Sequence, residues 1–136
     1  MLAYICIGVL GFLVVGLGWG VSMLRLRRRI GIGAPDDPED PFFKLVRAHA
    51  NAAEYAPMLA VLMLVAGTPE PPAWVAMSMV CATAARLLHA LGMVRSPSLA
   101  RPHPLRFVGA AGTYLFGALL ALAVLLRGAT GLGRPT

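Results

Sequence analysis

Four stretches of this chain, 2–24, 42–66, 73–94 and 105–126, are each long and apolar enough to fill a bilayer core as a helix. A crossing takes about 20 such residues. Runs of this length with helix-forming Leu, Ala and Met select helices. The expected fold class is therefore all-α, an integral membrane four-helix bundle in a single domain over 1–136. Composition agrees: 58% of residues are hydrophobic and 13% charged, whereas soluble domains carry about a quarter charged residues. The first stretch has no positive segment before it and no small-residue cleavage site, so it reads as a retained span rather than a signal peptide. Gly67-Thr68-Pro69-Glu70-Pro71-Pro72 forms a tight turn, and Ser96-Pro97 through Pro102-His103-Pro104 a stiff loop that excludes helix.

The net charge of +6 does not point to nucleic acid, because no basic patch is interleaved with aromatics. The basic residues instead sit at the ends of apolar runs. The first loop holds Arg25, Arg27, Arg28, Arg29 and Lys44, with Arg47 at its edge. The third holds Arg95 and Arg101, with Arg106 opening the last span, and the second has none. By the positive-inside rule, loops one and three face the cytoplasm and both termini face away, with Arg127 and Arg134 opposing weakly. The acidic stretch from Pro35 to Pro41 reads as a solvated linker whose acids cap the second helix at Pro41. Cys6 and Cys81 lie inside apolar runs without motif spacing, which suggests neither a disulfide nor a metal site. Gly8, Gly11, Gly16 and Gly20 permit close helix packing in the first span.

Charges inside the spans carry the functional information. In the second span Arg47, Asn51 and Glu54 share one helix face, with Met58 on the same stripe. The third adds Arg86 and His89, with Met93 one turn further on. The fourth opens with Arg106, and Gly109, Thr113 and Gly117 follow near the same face. An ionisable group near the bilayer centre costs about 3 kcal/mol or more, so such groups face protein or water. One reading is an Arg–Glu pair that holds helices together; the other is a polar ligand site. Three polar stripes at one membrane level favour the site. His49 lies on the opposite side of the second span, where a hydrogen bond at a helix interface is the favoured reading; in a trimer that side would meet the next subunit's site. Pro57 removes a backbone donor and crowds the carbonyl of Ala53, so a kink is expected there. A small transporter is disfavoured, because no inverted repeat is visible.

The segment Arg47-Ala48-His49-Ala50-Asn51-Ala52-Ala53-Glu54-Tyr55-Ala56-Pro57, followed by Ala85-Arg86-Leu87-Leu88-His89-Ala90-Leu91-Gly92 and Leu105-Arg106, resembles the MAPEG family, the membrane-associated proteins of eicosanoid and glutathione metabolism. The resemblance covers essentially the whole chain, and its first segment is the most specific. It implies a homotrimer that binds glutathione, as cosubstrate, at subunit interfaces open to the cytoplasm. Arg47 and Arg86 would hold carboxylate or peptide oxygens, since a guanidinium forks onto a carboxylate. Glu54 would take the ammonium, and Asn51 and Tyr55 would add neutral hydrogen bonds. His89 matches a family position held by His or Tyr. Arg27 or Arg28 matches an arginine lent by the neighbouring subunit, with a positive-inside anchor as the alternative. Arg106 matches the arginine that stabilises the thiolate, which would attack a lipophilic electrophile or reduce a hydroperoxide.

Three positions depart from that pattern. Ala50 stands where some members carry a second arginine, Met93 where some have a tyrosine, and Ala110 where the prostaglandin E synthase branch has a tyrosine near the sulfur. These argue against a specialised eicosanoid synthase and leave a general bacterial-type member in the inner membrane. The expected activity is that of a glutathione transferase or peroxidase. The alternative is a non-catalytic relative that presents a lipid or glutathione site.

Overall fold

The computed structural model describes residues 1–67 and 70–132. Thr68 and Pro69 of the second turn, and Arg134, lie outside the described residues. The described chain folds into four helices: α1 (Leu2–Arg28), α2 (Pro41–Ala66), α3 (Ala73–Arg95) and α4 (Pro104–Leu132). α1 runs a turn beyond the apolar stretch because arginine is a good helix former. It stops at Arg29, whose φ of 55° is left-handed. There Ile30 N–H donates to the Arg25 carbonyl at 3.1 Å and satisfies the helix end. α2 runs unbroken through Pro57.

The start of α2 is specified locally. Asp40 is its N-cap, and the carboxylate accepts from the Phe42 and Phe43 amides at 2.6 and 3.3 Å, with Pro41 at the first helical position. The same carboxylate takes the Arg28 guanidinium at 2.7 Å, which ties the end of α1 to the start of α2. The hydrogen bond from Arg28, aided by the two amides, holds the Asp40 carboxyl below the ordinary carboxylate range. A depressed folded-state pKa contributes stability above the unfolded value and loses it as pH falls through the folded one. Asp40→Ala is therefore expected to lower the Tm at neutral pH. The gap to wild type should close as the pH drops below the carboxylate range. A gap that persists in acid would show that the carboxylate is not responsible.

α2 packs against all three other helices, and α3 and α4 approach each other most closely. Two glycines permit that approach. A Cβ on Gly109 would meet the His89 amide nitrogen at 2.5 Å, and one on Gly92 the Arg106 nitrogen at 2.7 Å. Between α1 and α2, Gly18 faces the His49 ring and Gly20 faces Leu45, while Gly8, Gly11 and Gly16 have nothing within 4 Å. Of the four glycines expected to pack, only Gly20 does so within the chain. The His49 ring lies against Gly18, between α1 and α2.

Loops one and three lie at the same end, where the Leu99 amide donates to the Pro38 carbonyl at 2.9 Å. Lys44 belongs to this junction and not to the free loop charges: it is helical and buried, and its Nζ donates to the Ser96 carbonyl at the end of α3, at 3.0 Å. A cation there complements the negative end of the α3 dipole. The opposite half of the bundle is an apolar core that includes Leu10, Leu59, Met63, Met79 and Leu120. Large apolar side chains also face outward, among them Phe12 at 83% and Leu125 at 70% exposure, as suits a protein whose solvent is lipid. Leu2–Arg28, Ala73–Arg95 and Pro104–Thr130 are long and apolar enough to cross a membrane. The second stretch, expected to be apolar enough as well, is not: α2 is long enough but more polar, because Lys44, Arg47, His49, Asn51 and Glu54 fall within it, and Arg47 and Glu54 stay exposed.

Candidate functional site

The polar residues of α2, α3 and α4 gather in the half of the bundle away from the apolar core. Arg86 is the centre. It is 2% exposed, and its guanidinium donates to the Asn51 side-chain oxygen at 2.6 Å and the Asn51 carbonyl at 3.3 Å. A longer contact of 3.5 Å reaches the Thr113 hydroxyl, which itself donates to the Gly109 carbonyl at 2.7 Å. The guanidinium carbon lies 5.0 Å from the Tyr55 ring centroid, a cation–π distance. Arg86 Nε is buried without a hydrogen-bond partner. The close approach at Gly109 is what places Thr113 within reach of α3.

Tyr55 joins Tyr114 of α4, hydroxyl to hydroxyl at 3.0 Å, with the rings edge to face. Together with Asn51, Arg86, His89 and Thr113 the two tyrosines line a cavity of about 20 Å³, room for about one water. On its outer side a groove of about 340 Å³ is lined by Glu54, Tyr55, Met58, Thr113 and Tyr114 among others. On the other side, His89, His103, Arg106 and Phe107 border a third space of about 250 Å³. His89 faces both the first and the third. Its Nδ1 pairs with the Arg106 carbonyl at 2.9 Å.

The chain matches the profile of the MAPEG family over residues 3–126. It belongs to that family. A search of curated proteins finds no match. Membership supports a membrane protein with a glutathione-related role. The fold of this MAPEG protein sorts the expected site residues into two groups. Asn51, Tyr55, Arg86 and His89 meet within the chain. Arg47 and Glu54 are exposed on the outer face of α2, so the expected ring is open on that side. Arg106 stands apart from Arg86: its guanidinium donates to the Leu99 and Arg101 carbonyls at 3.1 and 3.0 Å. Arg27 is exposed, and Arg28 is held by Asp40 with its guanidinium 5.6 Å from the Phe42 ring centroid.

Sequence reading missed Tyr114. The available signal was a second phenol inside an apolar run: a tyrosine hydroxyl at that depth needs a partner, and Tyr55 had the complementary need.

Proposed function

We propose that this MAPEG protein binds glutathione and uses its thiol, as a transferase or peroxidase, on a lipophilic electrophile or hydroperoxide. The observation that carries the reading is the buried Arg86, oriented by Asn51 and set over the Tyr55 ring, lining an inner cavity whose Tyr55, Thr113 and Tyr114 also border the groove at Glu54. A desolvated guanidinium held this way is a pre-organised carboxylate receptor. In this reading Arg86 and Arg47 take the tripeptide's carboxylates, Glu54 its ammonium, and Asn51, Tyr55 and His89 its neutral groups. The inner cavity is too small for a tripeptide, so the ligand lies on the open side against Arg47 and Glu54, and its carboxylate reaches Arg86 when the Tyr55–Tyr114 hydroxyl pair parts. A neighbouring subunit of a homotrimer closes it there, contributing Arg27 or, after exchange of its Asp40 partner, Arg28.

Arg106 is assigned the thiol. The proton leaves to solvent and the cationic field favours the thiolate. Its sulfur then bonds to the electrophilic carbon as the leaving group departs. With a hydroperoxide the thiolate sulfur attacks the terminal oxygen and the O–O bond breaks; the alkoxide takes a proton from water and leaves as the alcohol, and the sulfenic acid left on sulfur reacts with a second glutathione thiol to give the disulfide and water. A second reading, binding without turnover, is favoured by one observation: Arg106 spends hydrogen bonds on two loop carbonyls.

Calorimetric titration of detergent-purified protein with glutathione, followed by conjugation and hydroperoxide assays, separates the two. Millimolar or tighter binding with turnover is expected. Absence of binding at millimolar glutathione would overturn the proposal, and binding without either turnover would establish the second reading.

A further inference from the structure

We infer that His103 takes the proton from the thiol assigned above to Arg106 and passes it to water, a role that rests on that assignment. A thiol becomes a thiolate only as its proton goes elsewhere, and Arg106, which stays protonated, has no acceptor to offer it. The space of about 250 Å³ beside Arg106 is bordered by two histidines, His89 and His103. Imidazole is the side chain whose ordinary ionisation lies nearest neutral pH, so it both takes up and releases a proton there.

The two histidines are held differently. His89 Nδ1 lies 2.9 Å from the Arg106 carbonyl. A carbonyl only accepts, so this nitrogen carries the proton and the His89 ring is fixed in orientation. His103 is anchored by its backbone alone. It precedes Pro104, the first residue of α4, and its carbonyl accepts from the Phe107 amide at 3.0 Å. Its ring Nδ1 is buried without a hydrogen-bond partner. A buried polar atom left unpaired calls for a physical account. Proton transfer supplies one, because a ring that gains and loses a proton cannot have its nitrogens committed to fixed partners. The terminal torsion of histidine is broad and roughly two-fold, so the ring turns to exchange its buried and outward edges.

The surroundings fit a route to water. His103 is half-buried, while Arg101 and Pro102 beside it are exposed. Three residues further along, Arg106 uses Nη1 for both of its loop carbonyls, which leaves Nη2 to a sulfur. Ala110 borders both this space and the inner cavity at Arg86, so a ligand with its carboxylate at Arg86 places its sulfur on this side. The step balances within the two groups. The S–H bond breaks, its electron pair stays on sulfur and the proton joins a ring nitrogen of His103. The imidazolium then returns to the neutral ring by releasing that proton to water.

The test is stopped-flow mixing of glutathione with the detergent-purified full chain, reading the ultraviolet absorbance of the thiolate and proton release with a pH indicator. In His103→Asn the new side chain suits the residue before a helix but is no base. Thiolate and released proton should both appear about 100-fold more slowly than in wild type, with the final absorbance and the glutathione affinity unchanged. Added imidazole should restore the rate in His103→Asn and in the more open His103→Ala, and should leave Arg106→Ala without thiolate. Formation at the wild-type rate in His103→Asn would overturn the inference while leaving Arg106 in its role. A slowed rate that imidazole restores in neither variant would also overturn it, as the mark of a residue that only shapes the start of α4. Absence of thiolate absorbance from wild type with glutathione bound would instead overturn the assignment to Arg106, and the relay with it.

Discussion

Arg106→Ala is expected to lower turnover of bound glutathione roughly 100- to 1,000-fold, the range typical when one pre-organised donor to a developing anion is removed. A free thiol ionises near pH 8.5, so at neutral pH a large part of the rate rests on whatever cation favours the thiolate. The fold complicates the variant in an instructive way. Arg106 also ties the Leu99 and Arg101 carbonyls of loop three, and its backbone carbonyl positions His89. Loss of turnover, with glutathione affinity kept and the ultraviolet absorbance of the bound thiolate abolished, is the expected pattern. A lowered Tm and lost affinity with unchanged thiolate absorbance in the remaining complex would instead make Arg106 a loop staple. Arg106→Lys sharpens the comparison, since it keeps a charge but cannot reproduce a planar fork.

The second large effect is expected at the Asn51–Arg86 pair, where removing either member has different consequences. Asn51→Leu leaves a buried guanidinium facing a hydrocarbon side chain in place of its 2.6 Å acceptor. Hydrogen bonds to charged groups contribute about 1.5–3 kcal/mol, and leaving the charge unpaired costs at least that, so unfolding should become easier by about 2–3 kcal/mol. Arg86→Met removes the buried charge itself and keeps most of the volume; replacing buried ions with apolar groups is often close to neutral. That variant should stay folded but bind glutathione at least ~100-fold more weakly, because the proposed carboxylate receptor is gone. Unfolding in denaturant and glutathione titration on both variants separate the effects. Unchanged glutathione affinity in a folded Arg86→Met protein would remove Arg86 from the site.

Much of this was legible in the residues. The apolar runs located the starts of all four helices and the ends of α2 and α3 to within a residue, while α1 and α4 run on to Arg28 and Leu132. Asp40-Pro41 carried the capping signal of α2. Helix periodicity placed Arg86 and His89 on one face and His49 on the other side of α2 from Asn51. Less legible was which of several long side chains reached which partner. Arg47, Asn51 and Glu54 share a stripe, yet only Asn51 is turned inward, because α2 is rotated to set Asn51 against α3. Lys44 reads as a loop charge by position and is a buried cap on α3. Arg28 reads as interchangeable with Arg27 and is the one matched to Asp40.

The sequence by itself determined that this chain is a four-helix membrane bundle with charged residues inside it, because lipid admits few ways to satisfy a backbone and makes every internal charge costly. Membership in the MAPEG family rests on the same residues. Only the tertiary structure decided how those charges are divided. The contacts at Gly92 and Gly109 set the α3–α4 spacing, and that spacing determines that Thr113 approaches Arg86 while Arg106 turns to the loop. Helix periodicity specifies the direction of a side chain. The distance between two helices depends on how their backbones meet, and arginines several bonds long turn a small difference in that distance into a different partner.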